Sequence, residues 1–329
     1  MKIFRKTAVL ILALCLSLAM SIPAFAEEGG LEGLHYSDDT SVAITKVFRL
    51  EGAGTSPAET FTLRQIGDGT IKDGEATEAP ALGTITGAAF AEGAASADGA
   101  EAQIIVNLPA YERVGVYEYT LREDAGTTAG VTYYGNDIKL VVTVINDEST
   151  GSLRVAAVHT ESTGEEKSDR FPNIYSAGTL NITKTVTGNL GDKTKYFKFT
   201  VVLTGEPGRT YAGSYAVTGG SHAENPAFIR IGEPSAFYLR HDETLSVANL
   251  PYGVGYTVEE YTPADYTVTK ENESGSIQSP SVTAAFTNNK GGTPDTGISL
   301  DSLPYLAVLA LTVAGSLLFF SGKRSRRDR

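Results

Sequence analysis

The sequence predicts an all-β fold built as two antiparallel β-sandwiches in tandem. Its apolar segments are short and rich in Val, Ile, Thr and Tyr, and Gly, Asn and Asp separate them. No amphipathic helix of useful length appears between the two ends of the chain. Once the terminal segments are set aside, roughly 270 residues remain, which is enough for two sandwiches.

The first 26 residues have the pattern of a secretory signal peptide. A basic start, an apolar run and a small-x-small cleavage site follow one another: Lys2, Arg5 and Lys6, then Ala8 to Met20, then Ala24-Phe25-Ala26. The single cysteine of the chain, Cys15, lies inside this segment. The mature protein therefore has no thiol for a disulfide bond. An exported protein of this kind needs another covalent staple if it must withstand force or proteases.

The mature part, residues 27–296, is acidic, with 19 Lys and Arg, 37 Asp and Glu, and a formal charge of −18. Such a surface repels nucleic acid and favours solubility. We place the N-terminal sandwich at 36–176 and the C-terminal sandwich at 179–289, with the joint at Ser176-Ala177-Gly178. The segment from Gly67 to Ala100 is rich in Gly, Ala, Asp and Glu, so we expect an exposed insertion there.

Nine segments have strand composition, and they are spread over both predicted sandwiches. In chain order they are TSVAITKVFRL, AQIIVNL, GVYEYTL, DIKLVVTVI, SLRVAAV, LNITKTV, YFKFTVVL, ETLSVANL and YTVEEYT.

One constellation of polar residues occurs twice in these segments. A Lys stands in VAITKVF and LNITKTV, a Glu closes YTLRE and YTVEE, and an Asn follows a Phe in FPN and FTN. Because strand side chains alternate between two faces, and each polar residue shares parity with apolar neighbours, all six are predicted to point into cores. The sets are Lys46, Glu123 and Asn173, and Lys184, Glu260 and Asn288, with Lys-to-Glu intervals of 77 and 76 residues.

Burying a lone Lys or Glu is costly, and the usual relief is a pKa shift that discharges the group. A neutral amine beside a carboxylic acid and a carboxamide can react. The Lys nitrogen attacks the Asn carbonyl, the Glu polarises that carbonyl and transfers protons, and ammonia leaves as a Lys–Asn amide forms. The alternative is an edge-strand or snorkelling role for each group. A single Lys would favour that interpretation, whereas two ordered sets favour the reaction.

The C-terminal end, residues 290–329, has the layout of a surface-anchoring signal. A Gly/Thr/Pro-rich stalk leads to Thr293-Pro294-Asp295-Thr296-Gly297, an apolar stretch from Leu303 to Phe320, and a tail with five Lys or Arg. Eighteen helical residues extend for about 27 Å, enough for a bilayer core of roughly 30 Å. The stretch is therefore a predicted transmembrane helix, and the basic tail is expected to stay cytoplasmic. A plain membrane anchor without a sorting function is the alternative.

The ITK, YTxxE and FxN boxes resemble those of the isopeptide-linkage domains of Gram-positive backbone pilins, the streptococcal kind, which are Cna B-type immunoglobulin-like modules. The resemblance covers residues 40–290. It implies a Lys46–Asn173 bond with Glu123 as catalyst, and a Lys184–Asn288 bond with Glu260 as catalyst. Pro172 departs from the family pattern, since a small polar residue is more usual before the Asn; it suggests an edge position.

The pentapeptide Thr293 to Gly297 is similar to the LPxTG signal that sortases cleave between Thr and Gly, although Thr293 stands where Leu is commonest. The resemblance then implies a pilus shaft subunit, cut after Thr296 and joined to a lysine of the next subunit. Lys167 fits as that acceptor, because related pilins place theirs in this neighbourhood. Lys139 and Lys72 are weaker candidates.

The partners implied are a sortase, neighbouring pilin subunits and peptidoglycan, with host surface ligands left open, and the expected location is the cell wall or a surface pilus. Before cleavage by sortase the chain would be held in the membrane. A wall-anchored adhesin or minor pilin that never polymerises is the alternative.

Enzyme signatures are missing from the sequence. Four histidines are scattered without metal-ligand spacing, and there is no GxSxG, HExxH, P-loop or dinucleotide fingerprint. We therefore expect no cofactor, no metal and no turnover, because the Lys, Glu and Asn chemistry acts once on the protein itself. A displayed enzyme with an unrecognised site is the third alternative.

Overall fold

The computed structural model of the protein describes residues 40–162, 167–261, 263–293, 305 and 307–316. The predicted signal peptide, Pro294 to Gly297 of the pentapeptide and both ends of the predicted transmembrane helix lie outside these residues. Residues 305 and 307–316 are helical. Within the part of the chain that is described, no helix is both long enough and apolar enough to cross a membrane.

The described part is almost entirely β-structure, as the composition predicts. The strands of the first half are β1 (Ser41–Gly52), β2 (Glu59–Gln65), β3 (Thr70–Gly74), β4 (Gly87–Phe90), β5 (Ala100–Asn107), β6 (Gly115–Glu123), β7 (Val131–Thr132), β8 (Ile138–Asn146), β9 (Leu153–Ser162) and β10 (Arg170–Thr187). Those of the second half are β11 (Phe197–Thr204), β12 (Tyr215–Gly219), β13 (Phe228–Ile229), β14 (Ser235–Leu239), β15 (Glu243–Pro251), β16 (Gly255–Glu260), β17 (Thr267–Glu271), β18 (Ser274–Ser276) and β19 (Ser281–Asn289).

The N-terminal sandwich packs two sheets face to face. One contains β5, β1 and the first half of β10, with β7 on the far side of β10. The other has the order β4-β2-β6-β8-β9, with β3 also beside β6. The burial of β6 alternates along the strand, so every second residue enters the core between the two sheets. Fully buried aromatic side chains fill this core, among them Phe48, Phe61, Tyr117 and Tyr119.

The C-terminal sandwich repeats this two-sheet plan. One sheet runs β13-β12-β15, then the second half of β10, then β19 and β17. The facing sheet has the order β14-β11-β16-β18. A separate apolar core lies between the sheets and includes Phe197, Phe199, Phe237 and Phe286. Each half of the chain therefore has its own core.

Strand β10 belongs to both sandwiches. Its first half pairs in parallel with β1, and its second half pairs in parallel with β19. The last strand of the N-terminal sandwich thus continues as the first strand of the C-terminal sandwich, with Ser176-Ala177-Gly178 inside the strand. The joint is an unbroken strand of 18 residues.

The segment from Gly67 to Ala100 is only partly the exposed insertion expected from its composition. It forms β3 and β4, and Ala88, Phe90 and Ala95 are buried in the N-terminal core. The expectation was wrong for β4, because the Gly- and Ala-rich sequence conceals a short alternation, with Ala88 and Phe90 on one face of the strand.

Candidate functional site: two buried lysine, glutamate and asparagine sets

Site one consists of Lys46, Glu123 and Asn173, and three different strands supply them. Lys46 lies on β1 opposite Phe171 of β10, and Asn173 lies on β10 opposite Phe48 of β1. The two polar residues are therefore diagonal neighbours across a parallel strand pair, on its core-facing side. Glu123 is the last residue of β6 in the facing sheet, so it reaches them across the sandwich.

The three side chains of site one contact one another directly. Lys46 Nζ donates to Asn173 Oδ1 at 2.7 Å and also to Glu123 Oε2. Asn173 Nδ2 donates to Glu123 Oε1 at 2.5 Å. The exposed fractions of Lys46, Glu123 and Asn173 are 1%, 5% and 0%, so the burial inferred from strand parity is present. Amine, carboxyl and carboxamide thus form a closed triangle away from bulk water.

The surroundings of Lys46 disfavour its charged form. Burial lowers the pKa of Lys46, and the charge and hydrogen bond of Glu123 oppose that shift only partly. Nζ lies over two aromatic rings, 5.3 Å from the ring centre of Phe61 and 5.5 Å from that of Tyr134; such rings attract an ammonium group, so they too oppose the shift without reversing it. A lysine with a lowered pKa has a larger neutral fraction, and the neutral amine is the nucleophilic form.

Site two, formed by Lys184, Glu260 and Asn288, repeats the register of site one. Lys184 lies on β10 opposite Phe286 of β19, and Asn288 lies on β19 opposite Val186 of β10. This strand pair is again parallel, and the Asn again lies two residues beyond the partner of the Lys. Glu260 is the last residue of β16 in the facing sheet.

In site two the carboxylate bridges the other two groups. Lys184 Nζ lies 2.8 Å from Glu260 Oε1, which also accepts a hydrogen bond of 2.7 Å from Asn288 Nδ2. Lys184 and Asn288 are 1% and 0% exposed. Burial lowers the pKa of Lys184, against the hydrogen bond and charge of Glu260. Nζ faces the ring of Phe197 at 4.5 Å.

Site one contains a group that sequence reasoning missed. The backbone N–H of Tyr134, just after β7, donates to Asn173 Oδ1 at 2.9 Å and to Glu123 Oε1 at 3.3 Å. In site two, Asn288 Oδ1 accepts no hydrogen bond from any described residue. No sequence signal could have identified Tyr134, since the donor is a backbone group and its position depends on the path of the chain after β7.

The predicted acceptor Lys167 lies outside both sites. It is exposed and forms an isolated β-bridge with Glu161. Of the weaker candidates, Lys139 Nζ contacts Glu118 at 3.1 Å, and Lys72 is exposed on β3. Thr293 of the pentapeptide is exposed and has no regular secondary structure.

Pro172 lies where its missing N–H leaves a gap in the hydrogen-bonding pattern of β10. It is exposed and pairs with Val47 of β1, while β7, on the other side of β10, pairs only with Ile174 and Tyr175. The edge position suggested by the sequence is confirmed for this residue.

The two halves of the chain match two different protein families. Residues 42–176 match a family described as the Spy0128-like isopeptide containing domain. Residues 178–290 match a family described as a domain of unknown function, DUF7601. Site one therefore lies in a segment with a described isopeptide family, and site two lies in one without.

Two curated relatives come from Streptococcus pyogenes. A protein named "Pilin", from serotype M1, is 27% identical over 238 residues, which is 65% of this chain and 69% of the relative. The chain is a homologue of streptococcal pilins. A second relative, the pilus tip adhesin Cpa, is 33% identical over 138 residues, 40% of this pilin homologue but only 19% of the adhesin.

Solved structures agree on the fold of the pilin homologue. The crystal structure of the major pilin from Streptococcus pyogenes matches with a TM-score of 0.52 and 22% identity, over 78% of this chain and 100% of that chain. The major pilin T3.2 from the same species matches with a TM-score of 0.51 and 20% identity, over 77% and 99%. The fold is therefore that of tandem immunoglobulin-like pilin sandwiches, as predicted.

Proposed function

We propose that this pilin homologue is a structural pilus subunit of a Gram-positive cell surface, stabilised by Lys46–Asn173 and Lys184–Asn288 amide bonds. One observation carries the proposal: two buried sets of the same three residue types occupy the same register on parallel strand pairs. A merely solvated or edge-strand role does not explain six buried polar groups that contact one another in this arrangement.

Each bond forms by exchange of one amine for another. The neutral Lys nitrogen attacks Asn Cγ, the new C–N bond forms, and the bond from Cγ to Nδ2 breaks. Glu123 or Glu260 takes a proton from the attacking nitrogen and delivers one to Nδ2, so ammonia leaves and the carboxylate is regenerated. Because the protein consumes its own residues, the reaction occurs once per site, without turnover.

Intact mass spectrometry tests the two bonds. We expect the folded ectodomain to weigh less than its sequence by two ammonia molecules. Digestion should then give two branched peptides, one joining Lys46 to Asn173 and one joining Lys184 to Asn288. The full sequence mass after folding would exclude the proposal.

The ends of the chain support assembly and anchoring by a sortase. The proposed cleavage falls between Thr296 and Gly297 of Thr293-Pro294-Asp295-Thr296-Gly297, with the apolar stretch and basic tail holding the substrate at the membrane before cleavage. The Thr296 carbonyl is then transferred to a lysine of a neighbouring pilin subunit or to peptidoglycan. The location that follows is the cell wall or a pilus on the cell surface.

Lys167 is the proposed acceptor because it is exposed and precedes β10 by only a few residues. We expect Lys167→Arg to abolish the high-molecular-weight ladder in wall extracts, since Arg keeps the charge but is not a usable amine nucleophile. Lys139→Arg is the matched control and should leave the ladder intact. A ladder that persists in the Lys167→Arg strain assigns the acceptor role to another lysine.

A second candidate function is a wall-anchored adhesin or minor pilin that is attached once and binds host surface ligands. The similarity to the pilus tip adhesin Cpa favours it, although that match covers 19% of the adhesin. Immunoblotting of wall extracts separates the two functions, because a shaft subunit gives a ladder and an adhesin gives a single band.

A further inference from the structure

We propose that the backbone N–H of Tyr134 is a catalytic group of site one, where it stabilises the negative charge that develops on Asn173 Oδ1 as the amide forms. The inference rests on the proposed crosslinking function and adds a group to it. Among the described residues, site two has no such donor on Asn288 Oδ1, so the two sites should form their bonds at different rates.

The orientation of the Asn173 carboxamide supports this role. Oδ1 accepts from Lys46 Nζ at 2.7 Å and from Tyr134 N–H at 2.9 Å, while Nδ2 faces Glu123 Oε1 at 2.5 Å. The leaving nitrogen, Nδ2, therefore lies against Glu123, the group that later delivers its proton. The carbonyl oxygen lies against the fixed N–H of Tyr134. When the Lys46 amine attacks, Oδ1 gains negative charge, and a fixed donor stabilises that charge more strongly than it stabilises the neutral carbonyl.

Pro172 explains why this N–H is free to point at a side chain. The backbone N–H of Ser176 donates to the Gly130 carbonyl. The backbone N–H and C=O groups of the even-numbered residues in this part of β10 therefore point toward β7. Continued in the same register, the ladder would place Tyr134 opposite Pro172. In that antiparallel pair the Tyr134 N–H would donate to the Pro172 carbonyl, but Pro172 has no N–H to donate to the Tyr134 carbonyl, so the pair would have only one of its two hydrogen bonds. The ladder ends at Thr132, and the N–H of Tyr134 donates to Asn173 instead.

Site two has the opposite arrangement. Thr287 stands where site one has Pro172, and the neighbouring strand β17 pairs with β19 continuously past the asparagine, with Val268 opposite Asn288 and Thr269 opposite Thr287. The backbone beside Asn288 is therefore paired with β17. In site one, Pro172 thus coincides with the added donor.

The test removes one N–H and leaves the side chain in place. Tyr134 is replaced in the full chain by its α-hydroxy acid analogue during cell-free translation, which converts the peptide N–H to an ester oxygen. A Glu260→Ala background leaves site one as the only reacting site. Pulse-labelled protein is quenched in denaturant at timed intervals, and intact mass gives the fraction that has lost ammonia.

We expect the ester to slow ammonia loss at site one by about 10²- to 10³-fold, the usual effect of removing one oxyanion donor. Ser162→Ala, which removes the hydroxyl that contacts the Tyr134 side chain at 2.5 Å and leaves the Tyr134 N–H in place, should react at the parent rate. The same ester in a Glu123→Ala background should leave site two unchanged. An unchanged rate at site one in the ester protein would overturn the role of Tyr134.

Two further measurements keep the result decisive. Failure of the parent protein to lose ammonia at site one would reject the crosslinking function itself, which is a different outcome from an unaffected ester variant. If the N-terminal sandwich of the ester protein does not fold, Pro172→Ala decides instead. It supplies the missing ladder donor and should slow site one by drawing Tyr134 into β7, whereas the parent rate would overturn the proposal.

Discussion

Site one and site two have the same strand register but different surroundings. In both, Lys and Asn are diagonal neighbours on a parallel strand pair, and a Glu reaches them from the end of a strand in the facing sheet. In site one the Asn carbonyl oxygen accepts two hydrogen bonds, whereas in site two no described residue donates to it. The reacting groups are thus fixed by strand pairing, while the hydrogen bonds to the carbonyl depend on the neighbouring chain.

The two sites also differ in their relation to the proposed load. If tension enters at Lys167, it passes along β10 through Asn173 to Lys184, crosses the amide to Asn288 and leaves toward Thr296. The chain between Lys184 and Asn288 is then bypassed. The N-terminal sandwich up to β9 lies outside this path, because Lys46 is joined to β10 only as a side branch.

The largest expected effect is complete loss of one bond in each glutamate variant. Glu123→Ala should restore the mass of one ammonia molecule by leaving only the Lys184–Asn288 bond, and Glu260→Ala should leave only the Lys46–Asn173 bond, because each removes the proton-transfer group of its own site. Intact mass with peptide mapping measures both. Glu259→Ala, an exposed neighbour on the same strand, is the control. Two bonds in either glutamate variant would show that its carboxylate is dispensable.

The next largest effect is expected in single-molecule pulling between residues 167 and 296, where loss of the site-two bond should lengthen the protein and loss of the site-one bond should not. Glu260→Ala should release on the order of 350 Å of chain as the C-terminal sandwich unfolds, since about 100 residues extend at roughly 3.4 Å each. Wild-type protein and Glu123→Ala should show no such release. Moving the first attachment point to residue 40 should make Glu123→Ala extend as well. Equal extension of wild type and Glu260→Ala from residue 167 would place the amide off the load path.

Loss of either bond should lower the stability of its sandwich by a similar amount, and thermal unfolding measures this smaller effect. Asn173→Ala and Asn288→Ala prevent the bonds but keep each Lys–Glu pair, and each should cost about 4.7 kcal/mol by loop-entropy arithmetic. For a sandwich of about 110 residues that lowers Tm by roughly 20 °C. Calorimetry of each variant checks this. Because loop entropy depends only on the logarithm of length, a large difference between the variants would implicate contacts other than loop closure.

The smallest effect is a pH dependence in the same two asparagine variants. Burial lowers the pKa of Lys46 and of Lys184 in the folded protein, so the unfolded chain binds more protons between that lowered value and about 10.4. Stability should therefore rise with pH across this window. Chemical denaturation at several pH values measures it, with Lys46→Met/Asn173→Ala and Lys184→Met/Asn288→Ala as controls for other groups. A stability that is flat or falling relative to these controls would contradict the lowered pKa.

Several features followed from the sequence alone because they depend on local periodicity. Strand composition gave the fold class, and alternation of side chains placed Lys46, Glu123, Asn173, Lys184, Glu260 and Asn288 in cores. Composition hid the same alternation at Ala88 and Phe90 of β4, which was not among the predicted strands. The roles of the six residues, and of Lys167, stay predictions until the bonds are measured.

Tertiary structure decided what depends on contacts between distant segments. Only the fold shows that β10 runs unbroken through both sandwiches, that the Asn lies diagonally from the Lys, and that the N–H of Tyr134 reaches Asn173. The physical reason is that a backbone donor is the same chemical group in every residue except proline. Its place is set by the path of the chain, so the sequence revealed the reacting side chains and the fold revealed the hydrogen bond that distinguishes the two sites.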